Sequence, residues 1–106
     1  MTYSNDNNRL LLEIDNTIRD LNRETISPAI EKVTVEDLKP AMKLVARTRA
    51  EYLKELFDLA SVVGEGLPSP DQIAHLRKLR LTYDELVAAA KALNVAIERG
   101  YLDVER

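Results

Sequence analysis

The chain has no cysteine and no tryptophan, a single phenylalanine, a single histidine and no long apolar run. Without cysteine there is no disulfide, no thiolate metal site and no cysteine nucleophile. The composition fits a reducing cytoplasm, the location expected here. His75, with Asp71 four residues before it, makes half a metal site, and the two Glu-x-x-His pairs of a di-iron bundle are missing. No metal and no cofactor are therefore expected. No apolar run approaches the ~18 residues of a membrane span. The leading MTYSNDNNRLLLEID lacks a charged start, an apolar run and a small-residue cleavage site, so neither a membrane nor a signal peptide is expected. With four tyrosines and one phenylalanine as its aromatics, the core must be built from Leu, Ile, Val and Ala, the materials of helix bundles.

What is present suits a small soluble helical protein. At 106 residues the chain predicts one domain able to bury about 60–70% of its unfolded surface. A net charge of −3 supplies no global basic field for nucleic acid. HLRKLR, 75–80, is basic, but Glu51, Glu55 and Asp58 are expected opposite it, and Asp84 follows Arg80 by four. Nucleic acid is therefore not an expected partner.

Three helical segments follow from apolar spacing. The first, about 8–26, carries Leu11, Ile14, Ile18 and Leu21 at three-four intervals. It is expected to end at Ser27-Pro28, because the residue before a proline is pushed out of helical geometry, with a short turn over 28–33. The second has Thr34 as its cap and runs to 63, starting near 35 or delayed to 41 by Pro40. GEGLPSP, 64–70, contains the connecting loop, 64–69. Ser69, Pro70 and Gln72 then form a start signal for a third helix over about 70–100, carrying Leu76, Leu79, Tyr83, Leu86, Ala90, Leu93 and Ile97 and stopped by Gly100. The expected fold is all-α: a long antiparallel hairpin plus a shorter N-terminal helix. Two adjacent apolar stripes on the second helix need more than one neighbour. Self-association, in the manner of a coiled coil, is expected to complete the bundle as a dimer or larger.

One position breaks the pattern. Stepping from Leu38 gives Met42, Val45, Arg49, Tyr52, Leu56, Leu59 and Val63, all apolar except Arg49. In an antiparallel hairpin centred on the loop, facing positions have numbers summing to about 133. Arg49 then lies level with Asp84, beside Tyr83 and Glu85. Leaving a core arginine unpaired would cost several kcal/mol. Arg49 is therefore expected to be at least half buried and ion-paired with Asp84 or Glu85, or with their copies in another subunit. The alternative is that it holds an anionic ligand. No nucleophile stands in a catalytic context, so catalysis would have to come from arginines and carboxylates across helices.

Residues 43–93 resemble the Rop-like small proteins encoded in nitrogen-fixation gene clusters, through Asp58-Leu59-Ala60, Leu67-Pro68 and Thr82-Tyr83. SVVGEG lengthens the passage from Ala60 to Leu67, and Phe57 stands where that family usually carries a histidine. The resemblance implies a non-catalytic accessory protein that oligomerises through a helical hairpin. A second likeness is to helical chorismate mutases, which hold a dicarboxylate with arginines. Arg9, Ile14-Asp15, Arg23, Lys32 and Arg49 with Glu51 carry it. Ser27-Pro28 would break the long first helix such enzymes need, and Asn94 or Gln72 would have to replace their late glutamine.

Overall fold

The computed structural model describes residues 2–106, with side chains from Asp6 onward. Its elements are α1 (Thr2–Ile30), β1 (Val33–Thr34), α2 (Val35–Val63), α3 (Pro70–Glu98) and β2 (Val104–Glu105). The all-α architecture is as expected: α2 and α3 pack against each other as a hairpin, accompanied by an N-terminal helix. The chain divides into two compact units. One contains residues 37–92, the hairpin; the other joins the described residues up to 36 to residues 93–106.

The first helix differs from its expected form. It is 29 residues long, as are α2 and α3, and it runs through Pro28 to Ile30 instead of stopping at 26. Pro28 stands in the last turn, so its missing N–H removes one bond near the helix end and not from the middle. Thr17, Asn22 and Thr25 do not compete with the backbone. Each side chain donates at 2.8 Å to the carbonyl four residues earlier, on Glu13, Ile18 and Leu21. Helix α1 ends where Glu31 takes a φ of 48°, a left-handed conformation that disfavours a side chain by about 1–2 kcal/mol. That turn delivers Val33 and Thr34 to parallel pairing with Val104 and Glu105. No strand was expected, since two residues are too few to show alternation.

This unit's core is small: Val33, Ala96 and Leu102 are buried, Leu102 at 2% exposure. The end of α3 builds it. Gly100, at φ 75°, lets the Tyr101 amide donate to the Ala96 carbonyl at 2.8 Å and its own amide donate to Ile97 at 3.1 Å. This paired closure satisfies carbonyls that the helix end would leave free. Arg23 then ties α1 to the segment beyond. Its Nη1 donates to the Gly100 carbonyl at 2.7 Å, and its two terminal nitrogens meet both oxygens of Asp103 at 3.3 and 2.6 Å.

In the hairpin unit, α2 ends at Gly64, whose φ is 61°. The start of α3 is a reciprocal cap. The Gln72 amide donates to Ser69 Oγ at 3.2 Å, and the Ser69 amide donates to Gln72 Oε1 at 2.8 Å. Pro40 does not delay α2, which begins immediately after Thr34. On α3, the stripe positions Leu76, Leu79, Tyr83, Leu86 and Ala90 are covered in this unit, and Leu93 and Ile97 are covered in the other.

A candidate interaction surface on the hairpin

The seam of α2 answers why an arginine stands in an apolar stripe. The covered positions are Leu38, Val45, Thr48, Tyr52, Glu55, Leu59 and Val63. Met42, Arg49 and Leu56 lie one step to the side and are exposed. From Val45 the chain can step three or four residues to the next inward position, and the same choice recurs at Tyr52. Apolarity favours Leu56, but the fold uses Glu55. Both inward polar groups have partners. Thr48 Oγ1 donates to the Val45 carbonyl at 2.9 Å. The Glu55 carboxylate, with 27% of its side chain exposed, lies 3.6 Å from His75 Nε2 on α3.

Arg49 is therefore at the rim of the seam, not half buried. Its Nε donates to the Tyr83 hydroxyl at 3.0 Å, and its guanidinium carbon is 5.4 Å from that ring's centroid. The Tyr83 ring in turn lies 6.0 Å from that of Tyr52. Within the chain, Arg49 forms no ion pair with Asp84 or Glu85. Asp84 sits 3.9 Å from Arg80 Nε on its own helix, and Glu85 is exposed beside Leu81, Thr82 and Leu86. The physical reason is solvation: a rim guanidinium keeps its water and needs no carboxylate to offset burial. The facing arithmetic itself holds, because Arg49–Tyr83, Tyr52–Tyr83 and Glu55–His75 all join positions that sum to near the expected value.

The basic run 75–80 is only partly answered by acids across the hairpin. Glu55 meets His75, but Asp58 is taken by Lys54 one turn earlier, at 2.7 Å. Arg77 and Arg80 line an open groove of about 280 Å³ with Tyr52, Ile73 and Leu76. The spacing of Arg77 and Arg80, three apart on a helix, was a signal for a shared face that the expected acid pairing obscured.

In the other unit, Arg23 and Lys32 have different surroundings. Arg23 is held in the fork with Asp103, and the hydrogen bonds and charge of Arg23 push the Asp103 carboxyl below its usual range. Lys32 lines a groove with Ser27, Glu31, Val33, Leu102, Asp103 and Glu105.

Many large apolar side chains are exposed. On α1, Leu10, Leu11, Ile14, Ile18 and Leu21 are 43–63% exposed. On α2, Met42, Leu53, Leu56 and Phe57 are exposed. Among the described residues, no helix is long and apolar enough to cross a membrane. Comparison with protein-family models, with curated proteins and with solved structures finds no match to this chain.

Proposed function

We propose that the chain is a small non-catalytic helical accessory or adaptor protein, acting in the cytoplasm through protein–protein contacts and completing its bundle by self-association. The observation that carries this reading is the bare apolar face of α1. Residues 6–21 are all exposed, yet four apolar side chains among them recur at helical spacing. Contiguous apolar surface of this kind marks an interaction site. Burying the exposed half of these four side chains and of Leu10 is worth about 1 kcal/mol each, or about 10 kcal/mol for two copies. Association costs about 4–15 kcal/mol. The α1 face alone therefore supports a weak dimer, and a tighter one must also cover Leu53 and Phe57. The motifs shared with Rop-like proteins, Asp58-Leu59-Ala60, Leu67-Pro68 and Thr82-Tyr83, support a place among nitrogen-fixation accessory proteins.

The chorismate-mutase-like alternative gains one observation and loses another. Helix α1 is not broken at Ser27-Pro28, so the long first helix is present. But Arg23, which such a site would need for its dicarboxylate, is already engaged by Asp103. The adaptor reading predicts no turnover of chorismate.

The test is Ile14→Glu with Ile18→Glu, measured by light scattering and circular dichroism. The expected result is a lower mass at unchanged helix content. An unchanged mass above that of one chain would remove α1 from the interface.

A further inference from the structure

The groove beside Arg49 combines an apolar floor with uncompensated positive charge. Tyr52 and Leu76 are half-buried in it, and Ile73 is 48% exposed. Arg77 and Arg80 rise from the same face of α3. Among the described residues the Arg77 side chain forms no hydrogen bond or ion pair. The ion pair of Arg80 with Asp84 is long, at 3.9 Å, between side chains 50% and 60% exposed. Arg49 engages Tyr83 through Nε alone, which leaves its two terminal nitrogens available, and Tyr83 contacts Tyr52 of the groove. Arg77 and Arg80 thus line the groove and Arg49 stands on Tyr83 at its edge, with the long Arg80–Asp84 contact as the one ion pair among these three guanidiniums, in a chain whose net charge is −3. The local sign is the reverse of the whole.

We propose that this groove is the docking site for an acidic amphipathic helix of a partner protein. Carboxylates of that helix pair with Arg49, Arg77 and Arg80, and its apolar stripe covers Tyr52, Ile73 and Leu76. The proposal rests on the protein-contact reading above and adds the chemistry of the partner. Arginine matches carboxylate through two parallel hydrogen bonds, and a groove on the flank of a helical pair suits a helix laid along it. A nucleic acid fits less well. It would have to approach a net-negative chain and lay phosphates along Ile73 and Leu76, which offer no counter-charge.

The probe is a fluorescent helical peptide of about three heptads, with leucine at the core positions and glutamate beside them. A matched peptide carries lysine in place of the glutamates. Anisotropy should show binding of the glutamate peptide and not of the lysine peptide. Arg77→Glu with Arg80→Glu should weaken the glutamate peptide at least about tenfold and admit the lysine peptide. Helix content by circular dichroism confirms that this variant folds, and its sedimentation mass should equal that of the parent. Equal binding of both peptides overturns the proposal, as does an unchanged affinity in the variant. A single-stranded oligonucleotide that displaces the glutamate peptide would assign the groove to nucleic acid instead. A fall of the variant to the mass of one chain would assign it to a second copy of this protein. If the parent self-associates yet ignores the glutamate peptide, this proposal fails while the self-association reading stands.

Discussion

Leu102→Ala removes the most buried side chain of the described residues, at 2% exposure. Leu102 follows the closure at Gly100 and precedes the Val104 pairing with Val33, so it joins the last turn of α3 to the two short strands. Returning a fully buried leucine to water costs about 1.5–3 kcal/mol, and the cavity left behind raises typical Leu→Ala losses to about 2–5 kcal/mol. Leu102 also lines the groove with Ser27 and Val33. An open wall lets neighbours and water fill part of the space, which places the expected loss in the lower half of that range, about 2–3.5 kcal/mol. Urea unfolding followed by circular dichroism measures it by linear extrapolation, at one fixed protein concentration because association adds to apparent stability. Leu67→Ala is the control: Leu67 is 90% exposed, and its loss should stay within about 0.5 kcal/mol. A Leu102→Ala loss below about 1 kcal/mol would mean that this small core does not hold its unit together.

Ser69→Ala removes one half of the reciprocal cap on α3 and should cost about 1 kcal/mol in the same urea assay. Arg49→Met should cost less than about 1 kcal/mol, the scale of an exposed cation–ring contact; a loss near 3 kcal/mol would restore a buried ion pair. Asp103 has its carboxyl depressed by the Arg23 hydrogen bonds and charge. Its contribution is therefore present above the ordinary aspartate range, near pH 4, and is lost as pH falls through the lowered value. Asp103→Asn should flatten the acid limb of the stability curve, and an unchanged limb would show that the fork with Arg23 is not populated in solution.

Local signals were readable wherever one segment determines its own structure. The stripe from Leu76 to Ile97 lies in the covered seam of α3. The exchange between Ser69 and Gln72 and the left-handed glycines at 64 and 100 end or begin helices where such residues should. The misses depend on distant partners. Pro28 reads as a stop because pre-proline sterics are local, whereas the chain beyond it is anchored to Val104, far away in sequence. Val33 and Val104 form too short a pair to leave any periodic trace. Arg49 reads as inward when the stripe steps four residues from Val45, whereas the fold steps three, to Thr48; the later inward position is likewise Glu55, which faces His75 on the other helix. The groove of Tyr52, Ile73, Leu76, Arg77 and Arg80 shares that cause. Which basic residues remain unanswered becomes visible only when Asp58 is seen turned toward Lys54.

Sedimentation equilibrium of the native protein over roughly a hundredfold range around micromolar concentration, the range in which interfaces worth about 8 kcal/mol assemble, measures self-association directly. The bare faces of α1 and α2 predict a mass above the 12.0 kDa of one chain, rising with concentration toward a whole multiple of it. A mass of 12.0 kDa at every concentration would contradict self-association through those faces.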